Sequence, residues 1–202
     1  MTDVLIPGGR DVRGTLEEPE RDPRAIVVAC PPHPQHGGSR SDRRLVAVSD
    51  ALRDAGIACL RFDYGPWDEG YGERADVRNA VRWACETYDE RPVGVFGYSF
   101  GATLAVLASA DVASDAVAAL APTARLADDL DALEAINSLE VPVHVLYGTR
   151  DTTADWEPIV ERARGRGDEI TALSADHFFL GADDDIARAV RAFFERTLLE
   201  SA

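Results

Sequence analysis

The chain has 202 residues, enough for one domain with a sizeable core. Thirty-six acidic residues against 21 basic ones leave a net charge of −15, and every basic residue is an arginine. Such a surface repels nucleic-acid phosphates and anionic membranes, so neither is an expected partner, and its spread along the whole chain is the pattern of a halophilic protein from a high-salt cytoplasm, with an ordinary acidic mesophilic protein as the plainer alternative.

The opening MTDVLIPGGRD has no basic start and no long apolar stretch, so no signal peptide is expected, and no later run has transmembrane length. Residues 3–9 and 11–19 read as a short β-hairpin region. AIVVAC (25–30) is a buried-strand run. Residues 41–56 are helical, with Leu45, Val48, Leu52 and Ala55 on one stripe, Ser41 as a cap and Gly56 as a stop. IACLRFD (57–63) is a strand, followed by the Gly/Pro/Trp-rich loop YGPWDEGYG. Residues 73–88 are helical, with Val77, Val81, Ala84 and Tyr88 in register. VGVFGYS (93–99) reads as a strand, FGATLAVLASA (100–110) as a helix and AVAALAP (116–122) as a strand. A polar helical piece over 127–140 leads to a strand at 141–148. A helix near 153–164, a strand at 169–175 and a last helix over 185–199 complete the chain.

Strand and helix alternate, which predicts a mostly parallel, twisted sheet with helices on both faces, in one domain over residues 1–202. The continuous apolar runs suit parallel strands buried on both sides. Cys30, Cys59 and Cys85 are odd in number and widely spaced, so no metal or redox motif is expected; buried free thiols in a reducing cytoplasm are.

Chemistry concentrates at Gly97-Tyr98-Ser99-Phe100-Gly101, between a strand run and a helix run. Either this is a packing turn, or it is an elbow. In an elbow the small flanking residues let strand and helix approach, and strain lifts Ser99 above the carboxyl end of the sheet. The Phe100 amide then sits at a helix N-terminus, suited to a negative oxygen. A serine nucleophile needs a base, and the base needs an acid to orient it. Of the four histidines, His144 lies inside an apolar strand and reads as structural, with a satisfied hydrogen bond. His177 follows the last strand, where a base could reach Ser99. Asp151 lies three residues past Gly148, just after a strand; Asp155 is expected in the following helix, and Asp176 is too close to His177 to fold back onto its ring. A second oxyanion donor is expected from CPPHPQHGGSR (30–40). Pro34 has no amide hydrogen, so Gln35 is the better donor and His36 the next. A plain Gly/Pro turn is the alternative. A metal site at the two histidines lacks a suitably spaced carboxylate, and no metal or cofactor is expected.

The order Ser99, Asp151, His177 is that of an α/β-hydrolase triad. The residues together resemble that superfamily, and most closely its small, capless dienelactone-hydrolase-like members. Those pair an H-P-x-x-G-G loop with a G-x-S-F-G elbow and a D-H-F-F segment. Here these are residues 33–38, 97–101 and 176–179. LRFDYGPWDEG resembles the family's L-R-F-N-F-R-G segment, with Asp63, Tyr64 and a Trp67-containing loop replacing its usual residues. The resemblance spans the chain from about Ala25 to the final helix. It implies a three-layer α/β-hydrolase fold and serine hydrolase chemistry. Dienelactone hydrolases typically carry cysteine at the nucleophile position, so their substrate is not implied by a serine there.

The expected reaction is cleavage of a small-molecule ester or thioester through an acyl-enzyme. Ser99 attacks, His177 moves protons, Asp151 orients the imidazole, and the Phe100 and Gln35 amides hold the oxyanion. Only about eighteen residues (123–140) separate two strands where many lipases insert a lid, so a minimal cap and an open site are expected. His33, His36, Tyr64, Trp67 and Phe178 are candidate substrate contacts, with ordinary packing as the alternative for each aromatic. A binding or scaffold protein on the same fold is the rival class, and a peptidase or a cofactor-free haloperoxidase would use the same triad.

Overall fold

The computed structural model describes residues 1–200. Its sheet grows outward from strands that are apolar on both faces. In β3 (Ala25–Cys30), Ile26, Val28 and Cys30 join one core while Ala25, Val27 and Ala29 join the other. Alternate side chains of a strand point to opposite faces, so an unbroken apolar run is stable only where helices cover both sides. The chain opens with the hairpin β1 (Thr2–Ile6) and β2 (Val12–Glu17), and β1 is largely exposed, as an edge strand is.

The other elements alternate as expected. They are α1 (Arg43–Asp54), β4 (Ile57–Asp63), α2 (Tyr71–Thr87), β5 (Val93–Tyr98), α3 (Phe100–Ser109) and β6 (Ala116–Leu120). A small hairpin follows, β7 (Arg125–Ala127) and β8 (Leu130–Asp131), then α4 (Ala132–Ser138) and β9 (Val143–Gly148). The chain ends with α5 (Glu157–Arg166), β10 (Glu169–Leu173), α6 (Asp183–Phe194) and a π-helical turn (Glu195–Leu199).

Two details differ from expectation. α1 is capped by Asp42 rather than Ser41: the Asp42 carboxylate accepts the Arg44 N–H at 3.0 Å, and a carboxylate also suits the positive end of the helix. The polar run 127–140 is not one helix. Asp131 accepts the N–H groups of Leu133 and Glu134, so its side chain starts the helix there and leaves the preceding residues to the hairpin.

The eight-stranded sheet has the order β1-β2-β4-β3-β5-β6-β9-β10, with only β1–β2 and β2–β4 antiparallel. Leu45 and Leu52 of α1 pack with Ile186 and Phe193 of α6 against one face. Helices α2 to α5 cover the other, through residues such as Val77, Leu104, Ile136 and Ile159. From β3 the chain moves one way to β4, then crosses back to β5 and on to β6. The switch point therefore lies between β3 and β5, where open α/β sheets form ligand crevices. Cys30 is level with Gly97 across that pair, so the loops after both strands leave the same edge together.

Candidate active site

Ser99 joins β5 directly to α3. Its backbone lies at φ 57° and ψ −119°, a costly conformation for a residue with a side chain. Its surroundings hold it there. The Ser99 N–H donates to the Leu120 carbonyl at 2.8 Å, and the Ser99 carbonyl accepts from Ala102 at 2.9 Å as α3 begins. A Cβ on Gly97 would collide with the Gly101 backbone, and one on Gly101 with the carbonyls of Cys30 and Pro31. Strand, helix and the loop after β3 thus meet with no room for side chains, as an elbow requires.

His177, in the loop after β10, and Asp151, in the turn after β9, both converge on this elbow. Ser99 Oγ lies 2.9 Å from His177 Nε2, and His177 Nδ1 lies 2.7 Å from Asp151 Oδ2. A carboxylate only accepts, so Nδ1 carries the hydrogen and Nε2 is left to accept from the serine hydroxyl. The other Asp151 oxygen accepts the N–H groups of Thr153 at 2.8 Å and Ala154 at 3.1 Å, which fixes the carboxylate's orientation. The Asp151 side chain is fully enclosed. Of the competing aspartates, Asp176 accepts the Phe178 N–H in a local turn, and Asp155 lies not in the following helix, as expected, but two residues ahead of α5, where its amide donates to Thr123 Oγ1.

The loop after β3 closes into a 3-10 turn over Pro34–His36. That turn consumes the amides expected to be free. The Gln35 N–H donates to His33 Nδ1 at 3.3 Å and the His36 N–H to the His33 carbonyl at 3.0 Å. Among the described residues the His33 amide has no hydrogen-bond partner. The Phe100 amide, first in α3, has no intrahelical partner by construction.

A cavity of about 500 Å³ opens over Ser99 and His177, walled by His33, His36, Phe178 and Arg44 among others. His33 is packed between aromatic rings, with centroids at 4.5 Å to His36, 4.7 Å to Trp67 and 4.8 Å to Phe100. Burial and then the neighbouring His36 push the His33 pKa down, which favours the neutral ring. Phe178 is 59% exposed at the mouth, and Trp67 meets the site from behind, through His33 at 4.7 Å and Phe100 at 5.8 Å between ring centroids. Tyr64 is not a wall residue. It is buried behind Phe100, with its hydroxyl donating to the Pro31 carbonyl at 3.0 Å. Its position straight after β4 carries it under the loop instead of into the cavity. Arg44 and Tyr98 also face the cavity and were not expected there. Arg44 lies on what reads as the polar face of a helix, and Tyr98 is the variable position of the elbow, so neither carries a sequence signal.

Among the described residues no group of three or more histidine, cysteine or acidic side chains is placed to hold a metal ion. Cys30 and Cys59 are buried and Cys85 half-buried, all as free thiols, and burial pushes the Cys59 thiol up to about 12. No helix among the described residues is long and apolar enough to cross a membrane.

Solved structures share this architecture. An α/β serine hydrolase homologue from Coxiella burnetii superposes with a TM-score of 0.81 at 21% identity, covering 95% of this chain and 96% of its own. XC6422 from Xanthomonas campestris, a serine hydrolase without a lid, gives 0.81 at 22% identity over 98% and 95%. Est1E from Butyrivibrio proteoclasticus gives 0.83 at 17% identity over 95% and 97%, and is also known with ferulic acid bound. At such identities the likeness establishes the α/β-hydrolase fold. No curated protein matches the chain in sequence. The family profile for dienelactone hydrolases matches residues 69–188, more than half of the chain and the stretch that holds Ser99, Asp151 and His177, so the chain belongs to the dienelactone hydrolase family.

Proposed function

We propose that this hydrolase-family chain acts as a single-domain serine hydrolase on an ester or thioester of a small molecule. The observation that carries the reading is the unbroken chain of short contacts Ser99–His177–Asp151 at the floor of an open cavity. His177 Nε2 takes the Ser99 proton as Oγ attacks the carbonyl carbon. Asp151 holds the tautomer and balances the imidazolium. His177 then gives the proton to the leaving oxygen or sulfur, and a water activated by the same nitrogen cleaves the acyl-enzyme.

The Phe100 amide supplies one oxyanion donor. The second comes from the loop after β3, either the unpartnered His33 amide or the Gln35 amide once its long contact with His33 Nδ1 opens. His33, His36 and Phe178 form the wall that an acyl or alcohol group would meet. The free cysteines suit a reducing, cytoplasmic setting, and the anionic surface suits neither nucleic acid nor membrane partners.

The test is labelling with a fluorophosphonate probe, in high-salt buffer, of the wild type and Ser99→Ala, with the modified peptide mapped by mass spectrometry. Labelling at Ser99 that vanishes in the variant is the expected result. A panel of aliphatic and phenolic esters, thioesters and peptides then separates the substrate classes. A folded wild type that does not label points to a binding protein on a hydrolase fold.

A further inference from the structure

The loop that bears His177 is tied down by its own carbonyls. Three consecutive ones are capped by side chains from outside the loop. Tyr98 Oη donates to the His177 carbonyl at 2.8 Å, Arg44 Nη1 to that of Phe178 at 2.7 Å, and Arg43 Nη2 to that of Phe179 at 3.1 Å. Phe179 stands at φ 48°, in the left-handed region, with its ring fully buried against Tyr98. A bulky residue stays in that conformation only when its neighbours hold it there.

The donors are themselves fixed. The Asp42 carboxylate accepts from Arg44 Nε at 2.8 Å and from Arg44 Nη2, and the guanidinium carbon lies 4.1 Å from the Tyr98 ring centroid. Arg44 therefore grips a carboxylate on one edge, a carbonyl on another and an aromatic face with its plane. Only a planar, multidentate cation can do all three; a lysine cannot. Arg43 reaches Asp183 at 3.4 Å, which joins α1 to the first turn of α6 beyond the loop. Tyr98 is the residue before Ser99, and its ring lies 5.8 Å from that of His177. One dipeptide at the end of β5 thus touches His177 twice: Ser99 meets its ring and Tyr98 its backbone.

We propose that Tyr98 and Arg44 are positioning residues that set the His177 imidazole between Ser99 and Asp151 by fixing the carbonyls of residues 177 and 178. The inference rests on the triad reading given above. Both Ser99 and the base loop are thereby referenced to the end of β5. Small displacements of a base from its nucleophile are costly in rate, up to about a hundredfold for about 1 Å.

The experiment compares Tyr98→Phe, Arg44→Met and Arg44→Lys with the wild type, each checked for folding by thermal unfolding. Turnover is read on a neutral nitrophenyl ester and on one bearing a carboxylate. In parallel, the downfield proton resonance of His177 Nδ1–H is followed by NMR. Arg44→Met is expected to lower kcat about tenfold or more on both esters with KM nearly unchanged, and to broaden the resonance. Arg44→Lys should recover only part of that loss, and Tyr98→Phe should lower kcat severalfold. Tyr98→Phe removes a single hydroxyl, so it tests the proposal even where Arg44→Met fails to fold.

Unchanged kcat and an unchanged resonance in folded variants would overturn the proposal. A rise in KM confined to the carboxylate ester would also overturn it, in favour of a substrate-binding role for Arg44. The NMR readout needs no turnover. A wild type without hydrolase activity whose resonance is lost in Arg44→Met would sink the hydrolase reading and keep the positioning role.

Discussion

His177 and His144 are both buried and both near a carboxylate, yet their surroundings differ in kind. His177 sits past the carboxyl edge of β10, with Nδ1 on Asp151 at 2.7 Å and Nε2 on Ser99 at 2.9 Å, beside an open cavity. His144 sits inside β9, with Nε2 on Thr171 Oγ1 at 2.9 Å, Glu169 at 3.8 Å and its ring against Phe193. It has one satisfied nitrogen; Nδ1 is buried without a partner among the described residues. Burial, reinforced by Arg196 and opposed by Glu169, pushes its pKa down to about 4. Burial beside a carboxylate does not by itself make a base. A base needs one nitrogen oriented by an acceptor, the other facing a proton donor, and space for a substrate.

The sharpest way to break the comparison is to remove each ring. The proposed triad predicts that Ser99→Ala and His177→Ala lower kcat on a nitrophenyl ester by about a million-fold, while His144→Leu stays within about twofold. Equal damage from His144→Leu would mean that enclosure, not the cavity, defines the functional histidine. Asp151→Asn should cost less, about ten-thousand-fold in kcat with little change in KM, because it disturbs the tautomer and leaves the nucleophile in place.

The third contrast is in pH. A histidine whose pKa falls from 6.5 to about 4 on folding binds protons more weakly when folded. Its cost to stability is absent above about pH 6.5 and grows as pH falls toward about 4, to at most about 3 kcal/mol. Urea melts at about pH 7 and about pH 5 should show a loss of wild-type stability on acidification that is smaller in His144→Leu. An identical loss in both would place the acid-sensitive group elsewhere.

The smallest effect concerns the whole surface and not either histidine. With a net charge of −15, screening should raise the melting temperature by a few degrees between about 0.1 M and about 2 M KCl. A flat response would leave the charge without a role in salt adaptation.

Much of this protein is legible in local pattern. The alternation of apolar runs with amphipathic stretches was enough to imply a parallel sheet between helices, because each run must bury two faces or one. The elbow was legible as well, because only small residues permit that approach of strand and helix. Chain order placed Asp151 and His177 after strands, hence at the same edge as Ser99.

Tertiary structure decided what depends on where a turn closes and which groups it leaves over. The 3-10 turn at Pro34–His36 took up the Gln35 and His36 amides. The entry of β4 into its loop turned Tyr64 under Phe100 instead of into the cavity. Arg44 on α1 reached across to a loop 134 residues later in the chain. Local sequence carries the periodicity that makes an element. Such long-range hydrogen bonds arise from the packing of α1 and β5 against the His177 loop, and no spacing rule along the chain encodes them.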